Sequence, residues 1–229
     1  MKVDLCMWAK NGARYLPVVL KRIDEVIPVE SISQKIFVDD KSTDSSREIA
    51  REFNWTVYPN PTGWISGGTN EALRHVRQDF FVSVEQDVIL AKNWWDKIPL
   101  YMEDESVAIA QGWRMSTHPV IRMLEREHIE RMFGEMKPKR IADYTTIDNN
   151  IYRTKVIRGI GGFPKIEPIT VDYFLKREIE SKTDFKWIAD TSVVSEHIMT
   201  SITNHYKRHN RYHLQYTVKS LPIDELTLP

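Results

Sequence analysis

The 229-residue chain has the composition of an ordinary globular protein, with 41% hydrophobic and 28% charged residues. Lys plus Arg and Asp plus Glu each number 32, so no net field favours nucleic acid or an acidic membrane as a partner. The single cysteine, Cys6, excludes an internal disulfide framework and fits a reducing compartment, so we expect a cytoplasmic location. No apolar run of about 18 residues occurs, so we expect no membrane-spanning helix.

The first part of the chain alternates between predicted strands and predicted helices. The predicted strands are Val3–Ala9, Lys35–Val38, Trp55–Tyr58 and Phe80–Val84, and the predicted helices are Tyr15–Val26, Ser46–Phe53 and Thr69–Val76. The glycine-rich segment Thr62–Gly68 is predicted to be a loop that leads into the third helix. This alternation predicts a parallel sheet with right-handed crossovers.

The second part of the chain is more varied, and it contains no clear linker. Its predicted elements are a strand Val107–Trp113, a helix Arg122–Phe133, a polar loop Gly134–Asp143, a segment Thr146–Thr154 leading into a short helix that ends at Gly159, a helix Asp172–Ser181 and a strand Phe185–Val194. We therefore predict one domain in two unequal halves, residues 1–100 and 101–203, followed by a basic tail, residues 204–229.

Polar clusters follow three of the predicted strands, at Lys10–Asn11, Asp39–Asp40 and Glu85–Asp87. The carboxyl ends of parallel strands meet at one edge of the sheet, where ligands of such proteins bind. Glu85 and Asp87 are two residues apart, so both point to the same side of an extended strand. Two carboxylates there would suit a divalent metal.

A set of motifs occurs in a fixed order along the chain. The motifs are Asn11–Gly12, Asp39–Asp44 (D-D-K-S-T-D), Thr69–Asn70, Glu85–Asp87 (E-Q-D), Asn150–Arg153 and Gly161–Phe163 (G-G-F). Their order and spacing resemble those of family-2 glycosyltransferases, from about Val3 to about His197. The resemblance implies an α/β protein of the GT-A (nucleotide-diphospho-sugar transferase) fold, with a mostly parallel central sheet flanked by helices and a Rossmann-like N-terminal half. Residues 1–100 would then bind the nucleotide sugar, and residues 101–203 the acceptor.

The resemblance also implies a metal-dependent enzyme that moves a sugar from a nucleotide-diphosphate sugar to an acceptor hydroxyl, with inversion. A divalent cation, Mn²⁺ or Mg²⁺, would neutralise the charge that develops on the leaving diphosphate. The implied metal ligands are Asp87, Glu85 and His197. Two alternatives stay open for His197, namely a phosphate contact and a purely structural role.

The remaining implied roles concern the donor and the proton. The implied donor-binding residues are Asn11, Asp39, Asp40, Gly67, Asn70, Glu85 and Gln86. Either Asp39 or Asp40 would accept hydrogen bonds from the base or ribose, and Glu85 would lie towards the ribose or a metal-bound water. Asp172 would act as the general base, and the alternative is an acid favoured by the N-terminal end of a helix.

The sequence departs from the family pattern at three places. Glu85 replaces the first Asp of D-x-D, Thr69 replaces an Arg, and Val171 replaces the Glu of an E-D pair. Two other functions therefore stay open: a nucleotidyltransferase and a non-catalytic sugar-nucleotide-binding protein. The expected acceptor is a sugar, a lipid-linked group or a protein, not nucleic acid. Peripheral contact with the cytoplasmic face of a membrane through Lys207–Arg211 and a homodimer are further expectations.

Overall fold

The computed structural model describes residues 1–133, 140–141, 145–165 and 171–199. The strands are β1 (Val3–Ala9), β2 (Ile32–Asp39), β3 (Thr56–Pro59), β4 (Phe80–Val84), β5 (Val88–Ile89), β6 (Val107–Ser116), β7 (Arg140–Ile141), β8 (Asn149–Arg153) and β9 (Lys186–His197). The helices are α1 (Leu16–Val26), α2 (Ser46–Glu52), α3 (Trp64–His75), α4 (Trp94–Lys97), α5 (Pro119–Phe133), α6 (Thr154–Gly159) and α7 (Val171–Lys182), with 3₁₀ turns at Val29–Ser31 and Pro99–Glu103.

The strands of the described residues form one mixed sheet of nine strands. Its order is β3-β2-β1-β4-β8-β6-β9-β5, and β7 pairs with β9 outside this path. The strands β3, β2, β1 and β4 run parallel, as predicted, and β9 runs parallel to β6. Strand β8 lies antiparallel between β4 and β6. The sheet thus continues through both predicted halves of the chain.

Helices cover both faces of the parallel part of the sheet. All seven residues of β1 are buried, as expected for a strand between two helical layers. Leu5 of β1 belongs to the core cluster that contains Leu16 and Leu20 of α1. Its neighbour Cys6 belongs to the other cluster, with Leu73 of α3. Successive β1 side chains therefore face opposite layers, and the carboxyl end of the strand is left for ligands.

The structure corrects two sequence predictions. Helix α3 begins at Trp64, so most of the segment Thr62–Gly68 is helical and not a loop. Asn149–Arg153 forms β8, although the sequence predicted only a segment leading into a helix. Strand β8 is buried at every position, but its polar side chains do not give the apolar pattern from which a buried strand is predicted. They are satisfied inside the core, since Asn150 Nδ2 donates to Thr146 O (2.6 Å) and Arg153 Nε donates to Val107 O (3.0 Å).

Other boundaries shift by a few residues. Strands β2 and β9 are longer than predicted, and β5 and β7 were not predicted. The predicted loop Gly134–Asp143 and the basic tail 204–229 lie outside the described residues, except for β7. Within the part of the chain that the structure describes, no helix is long and apolar enough to cross a bilayer.

Gly67 shows why glycine occurs inside α3. A Cβ at Gly67 would lie 2.5 Å from Asn60 Oδ1. Asn60 cannot easily retreat, because it donates to Trp64 O (2.8 Å) and accepts from Gly63 N (3.0 Å). We therefore expect Gly67→Ala to lower the free energy of unfolding by about 1–3 kcal/mol, measured by urea denaturation.

The matched control is Gly159→Ala in α6, where an added Cβ meets no atom within 4 Å. Alanine there should be neutral or raise the free energy of unfolding by about 0.5–1 kcal/mol. Equal effects of the two substitutions would contradict the packing role of Gly67. A donor contact of Gly67 stays a separate prediction.

Candidate functional site

The loops after β1 and β4 are joined by a side chain at the carboxyl edge of the sheet. Gln86 Oε1 accepts a hydrogen bond from Lys10 N (2.9 Å), and Gln86 Nε2 donates to Lys10 O (3.2 Å). The loop after β2 also contacts the end of β1, since Asp40 N donates to Ala9 O (2.8 Å). The three polar clusters therefore lie together at this edge, as predicted. Gln86 holds two of the loops together through its hydrogen bonds to the Lys10 backbone.

Asn11 also holds the edge together. Its backbone is left-handed (φ 51°), a conformation that Asn tolerates better than most residues. Asn11 Oδ1 accepts from Thr43 N (2.8 Å), and Asn11 N donates to Ser42 Oγ (2.9 Å). In the same loop, Ala13 N donates to Asp44 Oδ2 (3.1 Å). Much of the D-D-K-S-T-D segment thus binds the loop after β1.

The three acids of this segment differ in what they contact. Asp39 is buried, and its carboxylate accepts from Ser42 N (3.1 Å). Asp44 loses solvent, which raises its pKa, but hydrogen bonds from Ser46 and from backbone N–H groups outweigh this and lower the pKa. Asp40 keeps 19% of its side chain exposed and contacts Lys10 Nζ at 3.4 Å. Of the two predicted donor contacts, Asp40 is the more accessible.

The E-Q-D segment forms a turn between β4 and β5. Its first residue is partly exposed, and Glu85 N donates to Asp148 O (3.0 Å). Its last residue, Asp87, has a side chain that is 12% exposed and lies beside His197, with 3.3 Å between Oδ2 and Nε2. His197 ends β9, and its side chain is only 2% exposed. Asp87 and His197 are therefore brought together as predicted, from opposite parts of the chain.

Two charged residues behind this pair were not singled out from the sequence. Arg114 of β6 lies 2.7 Å from His197 Nδ1 through Nη1 and forms an ion pair with Asp148. Asp148 Oδ1 also accepts from Thr146 Oγ1 (2.6 Å) and Asn149 Nδ2 (2.8 Å). The sequence feature that could have indicated them is Arg114 itself, a charged residue in the otherwise buried run Val107–Ser116, because such a charge requires a partner.

The carboxylates of Asp87 and Glu85 at this edge fit a divalent cation that also binds a substrate diphosphate. No three His, Cys, Asp or Glu side chains of the described residues form a metal-binding cluster. However, Mg²⁺ is commonly held by one or two carboxylates together with phosphate oxygens. Deeper in the sheet, burial raises the pKa of Tyr152 well above its usual value, and the charges of Asp148 and Glu85 raise it further. Asp87 and Glu85 would therefore supply the carboxylate ligands of such a cation.

Asn70 connects α3 to the G-G-F segment. Its Nδ2 donates to Ser66 O (2.8 Å) and Phe163 O (2.9 Å), while Oδ1 accepts from Phe163 N (3.0 Å). Gly162 lies against it with φ 94°, and a Cβ there would be 2.5 Å from Asn70 Oδ1. This amide is thus occupied by the protein backbone, and its predicted donor contact stays a prediction.

Asp172 lies in the first turn of α7, where its Oδ1 accepts from Tyr173 N (2.8 Å). This contact fits the helix N-terminal alternative. The contact does not decide between this alternative and a general base, so both interpretations from the sequence stay open.

The sequence matches the family model described as glycosyl transferase family 2 over residues 5–161, more than half of the chain. The chain belongs to glycosyl transferase family 2. Family 2 and the GT-A α/β fold were both predicted from the strand-end motifs, and both predictions are confirmed. No curated protein matches the sequence significantly.

Several solved structures are similar to this family-2 chain, and three of them are compared below. S. aureus TarS 1-349 in complex with UDP-GlcNAc has a TM-score of 0.66 and 15% identity, covering 88% of this chain and 59% of that one. The mannosyltransferase PcManGT from Pyrobaculum calidifontis, with GDP-Man and Mn²⁺, has a TM-score of 0.71 and 18% identity, covering 96% of this chain and 65% of that one. GalNAc-T7 with UDP, GalNAc and Mn²⁺ has a TM-score of 0.68 and 9% identity, covering 88% of this chain and 44% of that one.

These identities are low, so the likeness establishes the GT-A fold alone. The chain spans about three fifths of the length of the TarS and PcManGT chains.

Proposed function

We propose that the chain transfers a sugar from a nucleotide-diphosphate sugar to an acceptor hydroxyl, with inversion and with a divalent metal. The observation that carries this proposal is the Asp87 carboxylate, held beside His197 at the carboxyl edge of the family-2 sheet. The bound groups in the similar structures support it, since TarS is in complex with UDP-GlcNAc and PcManGT with GDP-Man and Mn²⁺.

Asp87 and Glu85 are proposed as metal ligands. His197, the third ligand that the resemblance implies, lies beside Asp87. The cation, Mn²⁺ or Mg²⁺, would neutralise the negative charge that develops as the nucleoside diphosphate leaves. The hydrogen bond between Asp87 and His197 orients the carboxylate. This supports a preorganised site, in which little reorganisation precedes binding.

The donor is proposed to lie along the loops after β1, β2 and β4. Asp40 would accept a hydrogen bond from the base or ribose, because its carboxylate is accessible whereas that of Asp39 is engaged by Ser42 N. Asn11, Gln86 and Asn70 would shape this surface through the contacts they make to the backbone. Gly67 allows α3 to approach Asn60 closely, and the start of that helix would then lie beside the donor.

Asp172 is proposed as the general base. It would take the proton of the acceptor hydroxyl as that oxygen attacks the anomeric carbon. The new bond forms on the face opposite the bond to the diphosphate oxygen, which breaks with its electron pair, so the configuration inverts. The hydrogen bond from Tyr173 N to Oδ1 supports this role by orienting the carboxylate.

The acceptor is proposed to be a hydroxyl of a sugar, a lipid-linked group or a protein. Residues 101–203 would contribute the acceptor side of a single GT-A domain, with residues 204–229 as a basic tail. We also propose a cytoplasmic location, supported by the single free cysteine, with peripheral membrane contact through Lys207–Arg211. A homodimer stays an expectation from the sequence.

The test is incubation of the full chain with a panel of nucleotide sugars, simple sugar acceptors and Mn²⁺, with the released nucleotide identified. Release of a nucleoside diphosphate, increased by an acceptor, is the expected result. Release of pyrophosphate would show nucleotidyl transfer, and binding without turnover would show a non-catalytic sugar-nucleotide-binding protein. Either result would overturn the proposal.

A further inference from the structure

We propose that Arg114 is a positioning residue that fixes the tautomer of His197, and that His197 therefore supports Asp87 by a hydrogen bond instead of binding the metal itself. This inference rests on the proposed metal site and deepens it. It gives a functional role to Arg114 and Asp148, which belong to none of the family motifs in this chain.

The first step is the contact between Arg114 and His197. Arg114 Nη1 lies 2.7 Å from His197 Nδ1. A guanidinium group has only donors, so Nδ1 must supply a lone pair. A neutral imidazole carries a single proton, which is then on Nε2. The proton on Nε2 faces Asp87 Oδ2 at 3.3 Å, so His197 donates to this carboxylate.

The second step is that the opposite tautomer is disfavoured. Binding a cation through Nε2 would require the proton on Nδ1, where it would face an N–H group of Arg114 at 2.7 Å. Arg114 is held there because its Nε forms an ion pair with Asp148. The Asp148 side chain is 3% exposed and accepts two further hydrogen bonds, from Thr146 and Asn149. Moving Arg114 would leave a buried carboxylate without its cation.

The third step concerns the metal ligands that remain. With Nε2 protonated, the proposed site offers the carboxylate oxygens of Asp87 and Glu85. Oxygen ligands suit Mg²⁺ and Mn²⁺, whereas an imidazole ligand raises the affinity for Co²⁺ and Ni²⁺. Asp148 supports both parts of the arrangement, since its side chain holds Arg114 and its carbonyl oxygen accepts from Glu85 N (3.0 Å). Arg114 would thus determine which cations the site prefers.

The test compares wild type with a double variant, Arg114→Met with Asp148→Asn. The second change avoids an unpaired buried carboxylate and keeps an oxygen that can accept from Thr146 and Asn149. Arg114→Lys retains a donor and a charge as the conservative variant. Arg126→Met removes an exposed cation of α5, paired with Glu130, as a surface control. Circular dichroism and thermal unfolding confirm that each variant is folded.

The first measurement is the tautomer of His197 in the metal-free full chain, by ¹⁵N-imidazole NMR at about pH 8, where free imidazole is neutral. The His197 signals are assigned by their loss in His197→Gln. We expect a single Nε2–H tautomer in wild type, Arg114→Lys and Arg126→Met, and a mixture in the double variant. An Nδ1–H tautomer in wild type, or an unchanged tautomer in the double variant, would overturn the inference.

The second measurement is the affinity for Mn²⁺ and for Co²⁺ by calorimetry. The ratio of Co²⁺ to Mn²⁺ affinity should rise about tenfold or more in the double variant and stay unchanged in Arg126→Met. An unchanged ratio in the double variant would contradict a control of metal choice by Arg114. The tautomer is measured without metal or donor. If it is as expected but no nucleoside diphosphate is released, only the proposed function fails.

Discussion

Asp87→Asn is expected to abolish metal-dependent binding of a nucleoside diphosphate and to lower kcat/KM by about 10³-fold, since a bound metal contributes several kcal/mol to the stabilisation of developing charge. The substitution keeps the size of the side chain and an oxygen that can accept from His197 Nε2. It removes the negative charge that attracts the cation. The measurement is calorimetric titration with UDP and GDP, with and without Mn²⁺, together with steady-state turnover.

The matched control is Asp96→Asn, an exposed acid in the first turn of α4. It has the same change of charge and should leave both binding and turnover within about twofold of wild type. Metal-dependent nucleotide binding that survives in Asp87→Asn would show that the cation is held elsewhere. A loss of binding in both variants would point to the overall charge of the protein instead of a ligand at Asp87.

The parallel half of the fold could be predicted because strands such as β1 and β4 are predominantly apolar. The bounds of β1 and β4 agree with the prediction, and both strands are largely buried. Helix α1 shows the regular spacing of a helix with one buried face, at Leu16, Val19, Leu20 and Ile23. Such patterns arise from local periodicity and burial, so a single sequence reveals them.

The errors occur where distant contacts override local preference. Asn149 and Asn150 are uncommon in strands, yet β8 is inserted between β4 and β6, and its side chains form hydrogen bonds within the core. Gly67 and Gly68 favour a loop by composition, yet they lie in α3 because Asn60 and Trp8 pack against them. Trp8 is distant in sequence from Gly68, so no local pattern predicts that contact, and the packing of Asn60 against Gly67 depends on how the loop before α3 folds.

The structure brings several of the predicted polar residues together at one edge of the sheet, but their local contacts could not be predicted. The topology rule places polar residues after parallel strands at one edge, and Asn11, Asp40 and Gln86 are found there. Which of them binds backbone and which stays accessible depends on hydrogen bonds between separate loops. The ion pair of Arg114 with Asp148 joins two segments without a shared motif, so only the structure reveals it.

Asp172→Asn is expected to leave donor binding unchanged and to lower kcat by about 10²–10⁴-fold, the usual contribution of a positioned general base. Asparagine keeps an oxygen that can accept from Tyr173 N, so α7 should remain folded. It cannot take a proton from the acceptor hydroxyl. Nucleotide affinity by calorimetry and single-turnover sugar transfer separate the two effects.

Asp184→Asn, an exposed acid just beyond the end of α7, is the matched control and should retain both binding and turnover. The two interpretations of Asp172 differ in what they predict. An acid that only favours the N-terminal end of α7 affects stability by about 0.3–1 kcal/mol and leaves kcat unchanged. A general base affects kcat while stability and nucleotide affinity stay the same. Normal turnover of Asp172→Asn with lowered thermal stability would therefore assign the residue to the helix and require a different base.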